Sequence, residues 1–190
     1  MALTLKKFSF LSSAALALML AACGSSDTEE TYVIGVTQFV EHPSLDAAYE
    51  GFQKALEDAG LDVEYKYNTA NGDNSANMSV AQTLVGDGVD LIFANSTPSA
   101  QAAKSATSDI PIVFTSVTDA VGAELIASME APGGNVTGTI DLHPDTIANT
   151  AAFFKNELGA KKVGTVYNTG EQNSIAQVQQ IKDALEAEGI

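Results

Sequence analysis

The sequence predicts an α/β fold built from repeated strand and helix units around a parallel sheet. Three observations carry this prediction. From Tyr32 onward, short apolar runs alternate with longer stretches in which apolar residues recur at helical spacing, the pattern of a sheet covered by helices. Glycines stand where those helices must stop, and a Thr-Pro pair stands where one must start. With 190 residues, 45% of them hydrophobic and 17% charged, the chain can pack one generous domain or two small ones, which excludes disorder, collagen and coiled coil.

Tyr32 to Val36 is the first expected strand. Thr37 to Ser44 follows as a polar loop, and Leu45, Ala48, Tyr49, Phe52, Ala55 and Leu56 then fall on one helical face, closed by Gly60. Val63, Tyr65 and Tyr67 alternate with Glu64 and Lys66 as a second strand, and Asn68 to Asn74 is rich in turn formers. Ala76, Val80 and Leu84 mark a second helix that stops at Gly86. Leu91 to Ala94 is the third strand, after which Thr97 caps a helix with Pro98 at its first position. Ile112 to Phe114 is the fourth strand, with a polar loop from Thr115 to Asp119. Beyond Pro132, Gly133 and Gly134 comes a fifth strand, Val136 to Ile140, and a helix carrying Ile147, Ala151, Phe154 and Leu158 that ends at Gly159. Lys162 to Tyr167 is expected as a sixth strand. Asn168 to Asn173 is then a loop, and Ser174 caps a helix with Ile175, Val178, Ile181 and Leu185 on one face. The run Ala184 to Ile190 repeats Ala55 to Leu61, after which a strand begins, so the chain is expected to be truncated. Residues 31–142 would form a complete first lobe and residues 143–190 the incomplete start of a second.

Residues 1–22 form a separate object. Lys6 and Lys7 precede an uncharged apolar stretch of 15 residues from Phe8 to Ala22, too short to span a membrane and ending in small residues, as a secretory signal peptide does. The stretch ends Leu20, Ala21, Ala22, Cys23, the pattern of a bacterial lipoprotein, in which the cysteine is lipidated and becomes the new N-terminus. Cys23 is the chain's single cysteine, so an intramolecular disulfide is excluded and no redox chemistry is implied. A lipid there would tether the protein to a membrane face rather than span it, with residues 23–30 as the polar tether. The expected location is extracytoplasmic.

Nine lysines against 24 acids give a net charge of -15, and there is no arginine. So acidic a surface repels phosphate backbones, and without a guanidinium fork nucleic-acid binding is excluded. Anions must be held by backbone amides or lysine. In a parallel sheet, ligands sit beyond the C-terminal ends of the strands. The residues expected there are Thr37, Gln38, Phe39, Glu41 and His42; Asn71 to Asp73; Ser96, Thr97 and Ser99; and Thr115 to Asp119. No nucleophile elbow, Walker loop or dinucleotide fingerprint occurs, so no catalytic residue and no cofactor is assigned. His42 and His143 each directly precede a proline and lack partners at metal-ligand spacing; capping a loop is the expected role of both. The Thr97 to Gln101 helix start offers free amides and a partial positive charge to a carboxylate.

Five runs, Gly35-Val-Thr-Gln-Phe-Val-Glu-His-Pro-Ser-Leu-Asp46, Thr97-Pro-Ser-Ala-Gln101, Phe114-Thr-Ser-Val-Thr-Asp119, Pro132-Gly-Gly-Asn-Val-Thr-Gly138 and Tyr167-Asn-Thr-Gly-Glu-Gln-Asn-Ser174, occur in one order along the mature chain. Together they resemble the substrate-binding lipoproteins of ABC importers, of the tryptophan/tyrosine type. The resemblance implies two flavodoxin-like lobes of the type I periplasmic-binding-protein kind that close on a small solute and deliver it to an ABC permease. It departs at Ala120, where the family commonly has proline. Carried over by motif, Thr97, Ser99 and the loop Ser116, Val117, Thr118 and Asp119 would line the first lobe's site, with Glu171, Asn173 and Ser174 facing them. The expected ligand is an aromatic amino acid, its carboxylate near Thr97 and Ser99, its ammonium on Asp119 or Glu171 and its ring against Phe39, with Gln38 beside it. A sugar or nucleoside is the alternative ligand, and a flavodoxin-like enzyme or sensing subunit the alternative class.

Overall fold

The computed structural model describes residues 31–190; the expected signal segment, Cys23 and the expected tether lie outside the described residues. Five strands, β1 (Tyr32–Gln38), β2 (Val63–Thr69), β3 (Leu91–Asn95), β4 (Ile112–Val117) and β5 (Val136–Ile140), pair in parallel in the order β2-β1-β3-β4-β5. Parallel neighbours require crossover connections, and α1 (Pro43–Asp58), α2 (Asn74–Gly86) and α3 (Thr97–Ala106) supply the first three. Two further helices, α4 (Thr146–Asn156) and α5 (Gln172–Ala187), follow the last strand.

Side chains alternate across the sheet and so divide the core in two. On β3, Ile92 and Ala94 join Leu84 of α2 and Ala100 and Ala103 of α3, while Phe93 points the other way, toward Tyr49, Phe52 and Leu56 of α1. β4 repeats the division, with Ile112 and Phe114 on the α2/α3 side and Val113 on the α1 side. The rings of Phe52 and Phe93 stack with centroids 4.1 Å apart, fixing α1 to the middle of the sheet. Gly35 lies on the crowded side: a Cβ there would stand 3.0 Å from a Leu84 methyl and 3.1 Å from Val89. The result is the three-layer α/β arrangement predicted from the periodicity.

Several boundaries differ from the sequence reading, each for a physical reason. Thr37, Gln38, Asn95 and Thr115 to Val117, expected in loops or just past strand ends, belong to the strands. Their backbones continue the ladder while the side chains of Gln38, Asn95 and Ser116 bond to one another, so polarity alone does not mark the ends. Ser96, rather than Thr97, caps α3, its hydroxyl accepting from Ser99 N at 3.3 Å. Glu171, rather than Ser174, occupies the cap position of α5, and Ser174 is inside the first turn. The run Lys162 to Tyr167 is not a strand: no strand among the described residues runs beside it, a ladder needs a neighbour, and Val166 is fully exposed. The loop caps expected of the histidines are present, with His42 Nδ1 accepting from Ser44 N and His143 Nδ1 from Asp145 N, each at 3.2 Å.

Candidate functional site

The loops after β1, β2, β3 and β4 meet at the rim where the parallel strands end, and the start of α5 reaches the same rim. A chain of hydrogen bonds, buried at its centre, crosses this rim. Gln38 Nε2 donates to Asp46 Oδ1 at 2.8 Å and to the Val40 carbonyl at 3.0 Å. Its Oε1 accepts from Asn95 Nδ2 at 2.8 Å, and the same amide donates to the Leu45 carbonyl at 2.7 Å. Asn95 Oδ1 accepts in turn from Ser116 Oγ at 2.8 Å. Gln38 and Asn95 are wholly buried, and with every polar atom paired they avoid the desolvation penalty of lone polar groups.

Ser116 has φ 55, left-handed backbone unusual for a serine, and lies in an irregularity of the β4–β5 register between Phe114 and Val117. Gly138 permits this: a Cβ there would run into the Phe114 carbonyl. Thus two residues expected as ligand contacts, Gln38 and Ser116, are joined through a third, Asn95, that the sequence reading did not select. Its signal was available in an asparagine closing the otherwise apolar run Leu91 to Ala94.

Beside this chain, Thr37 and Thr97 are almost completely buried, and their hydroxyls have no partner among the described residues. Thr97 is the first residue of α3, where backbone N–H groups lack intrahelical acceptors. Pro98 has no N–H, and Ser99 spends its N–H on Ser96 Oγ and its hydroxyl on Asn77 Oδ1 at 3.3 Å. The free polar capacity of this helix end therefore gathers at Thr97.

Of the remaining predicted residues, Phe39 is 8% exposed at the end of β1, and Val117 lies in the core with Ile112 and Phe114 while its carbonyl accepts from Asp141 N. Asp119 Oδ1 accepts from Gly122 N at 2.8 Å, closing a turn whose Ala120 is buried. Glu171 Oε1 accepts from Asn168 Nδ2 at 2.7 Å. Three hydrogen bonds bring the 170–177 segment to the rim: Asn74 Nδ2 to the Gly170 carbonyl at 3.2 Å, Gln172 Nε2 to the Gly122 carbonyl at 3.1 Å, and Gln177 Nε2 to Thr118 Oγ1 at 3.2 Å. Gln172 Oε1 and Asn173 Oδ1 are buried there without partners, and Ser174 is half-buried beside them. These bonds place residues 170–177 beside Asn74, Thr118 and the turn at Gly122. A cavity of about 220 Å³ adjoins it, bordered by Asn74, Asn77, Pro98, Gln101, Gly170 and Glu171. A larger one of about 430 Å³ lies apart, between the unpaired run at Val163 and α5, and opens on Lys161, Lys162 and Lys182.

The family described as ABC transporter substrate binding protein matches residues 33–190. A curated tyrosine-binding protein of Clostridioides difficile is 47% identical over 163 residues, which are 83% of this chain and 47% of that protein. Among solved structures, a conserved domain protein from Vibrio cholerae is similar with TM-score 0.80 and 40% identity, covering 85% of this chain and 55% of its own. An ABC domain from Streptococcus pneumonia, solved in complex with L-Trp, is similar with TM-score 0.77 and 35% identity over the same shares. The chain spans about half the length of these relatives.

Proposed function

The chain belongs to the ABC transporter substrate-binding protein family, and from that membership we propose that it captures an aromatic amino acid at the rim of the sheet for an ABC permease. The observation that carries the ligand assignment is the buried, unpartnered hydroxyl of Thr97 at the first turn of α3. Such a group calls for an acceptor, and the partial positive charge of the helix end favours an anionic one, so a carboxylate fits without any arginine. Asp119 and Glu171 each keep carboxylate capacity beyond the single bond that engages them and offer a counter-charge to an ammonium. The relatives support the ring: one is a tyrosine-binding protein and another was solved with L-Trp.

In this reading residues 31–142 form the first lobe of the site, residues 143–190 open the second, and Phe39 packs near the ligand ring. Ser99, Val117 and Thr118 shape the pocket wall, while Asn173 and Ser174 approach from α5. The protein would act outside the cytoplasm, held to the membrane by a lipid on Cys23, as a carrier rather than a catalyst. Calorimetric titration with L-tyrosine, L-tryptophan and L-phenylalanine, beside tyramine and 4-hydroxyphenylpropionate, tests the reading. Binding of the amino acids and loss of binding when either the carboxylate or the ammonium is missing are expected. Binding of sugars or nucleosides alone would reject it.

A further inference from the structure

We propose that Asn95 is a positioning residue that holds the loops after β1 and β4 in the arrangement that receives ligand; this rests on the reading of the rim as the ligand site. β3 lies between β1 and β4, and its last residue, Asn95, is paired with Gln38 on one side and Thr115 on the other. The two flanking strands do not touch, so a side chain at the end of β3 is placed to join their ends. Asn95 does so with both ends of its amide: Nδ2 donates to Gln38 Oε1 and the Leu45 carbonyl, and Oδ1 accepts from Ser116 Oγ.

The chain of bonds has a direction. The Ser116 hydroxyl donates to Asn95, Asn95 donates to Gln38, and Gln38 donates to Asp46, where a carboxylate ends it in the first turn of α1. A leucine of similar size would leave the buried Gln38 Oε1 and the half-buried Leu45 carbonyl and Ser116 Oγ without these partners. At the far end the bond to Asn95 holds Ser116 in its left-handed conformation. Two residues on, Thr118 meets Gln177 of α5, and the next residue, Asp119, closes the turn on Gly122. Asn95 therefore acts on the rim through other residues.

The direction of the chain supplies the test. Asn95→Asp puts an acceptor where Gln38 Oε1 and the Leu45 carbonyl need a donor. Adding Asp46→Asn conserves charge and lets Gln38 turn its amide over, donating to the new carboxylate and accepting from the new amide, while the Leu45 and Val40 carbonyls stay without their side-chain donors. L-tyrosine titrations of the full-length protein and these variants are run at a temperature where circular dichroism shows all of them folded. Amide hydrogen exchange is followed in the ligand-free proteins over residues 38–46 and 116–122. Asp46→Asn alone should stay near the parent affinity. Asn95→Asp should weaken tyrosine binding about tenfold or more, the scale of one unpaired buried polar group, and speed exchange in both loops. The double variant should regain part of the affinity, and Leu84→Ala, a core control, should lower the melting temperature without changing affinity. An Asn95→Asp protein that melts earlier yet binds tyrosine as the parent does, or a double variant no better than Asn95→Asp, overturns the proposal. If Asn95→Asp does not fold, Ser116→Gly removes the last link while relieving its backbone strain. Unchanged or higher melting temperature with faster exchange over residues 38–46 and several-fold weaker binding then supports the proposal, and unchanged exchange over residues 38–46 overturns it. A parent protein that binds no aromatic amino acid rejects the ligand reading, and the exchange measurement decides Asn95 separately: faster exchange in both loops supports it, and in neither overturns it.

Discussion

The hydroxyl of Thr97 is buried without a partner in the ligand-free chain, a state that costs about 1–3 kcal/mol relative to a bonded one. If a ligand carboxylate supplies the missing acceptor, removing the hydroxyl must act oppositely on folding and on binding. Thr97→Val, nearly isosteric, should leave the melting temperature of the free protein unchanged or higher and weaken L-tyrosine binding about tenfold; melting curves and calorimetry on one preparation check both signs. Asp119 separates two roles in the same way. Its Oδ1 accepts from Gly122 N, and an asparagine keeps that acceptor while losing the charge. Asp119→Asn should therefore preserve stability and lower affinity for the amino acid more than for its deaminated analogue, whereas equal losses would make Asp119 a turn former only. The sequence exposed these candidates unevenly. Thr97 stood out through its Thr-Pro helix start, but nothing in the chain order of Gln38, Asn95 and Ser116 tells which side chains become neighbours. That follows from strand register, which residues 57 and 21 positions apart acquire only on folding.

At the scale of elements, the periodicity that predicted β1 to β5 and the five helices was legible because apolar residues recur wherever a face is buried. The expected strand at Lys162 to Tyr167 failed because a strand is a relation between two segments, and composition describes only one of them. α1 and β2 illustrate what pairing adds. Tyr49 of α1 lies 5.9 Å from Tyr65 edge to face and 5.5 Å from Tyr67 in a stack, both on β2. Burial raises all three phenol pKa values first, and then the phenolates of Tyr65 and Tyr67 raise that of Tyr49, Glu57 that of Tyr65, and Asp46 and Glu41 that of Tyr67. The folded state thus favours the neutral phenols. This contribution is fully present below the ordinary tyrosine value of about 10 and is lost as pH rises through the raised values. Melting temperature should fall steeply above that pH, and less steeply in Tyr49→Phe; identical slopes from thermal scans across the alkaline range would show that the cluster does not govern the transition.

For the whole molecule, attachment is the first question. Cys23→Ser should release the protein from the membrane fraction or leave its leader uncleaved, and an unchanged fractionation and processed mass would reject a lipid at this position. The second concerns the three hydrogen bonds that bring the 170–177 segment to the rim. All three use neutral amide donors, and among the described residues no ion pair joins residues 31–142 to residues 143–190. Residues 31–142 carry 15 acids against three lysines, and residues 143–190 carry six against four, so the two stretches repel each other. A repulsion of this kind reaches about 30 Å at 0.01 M ionic strength and about 3 Å at 1 M. Added salt should therefore favour the apposition of the two stretches instead of weakening it, and L-tyrosine should bind more tightly as ionic strength rises. Titrations from low to high sodium chloride measure the sign: affinity falling throughout would mean that charge attraction between ligand and site outweighs the repulsion across the seam. A binding protein built this way would hold its cargo best in a saline medium and release it more readily in a dilute one.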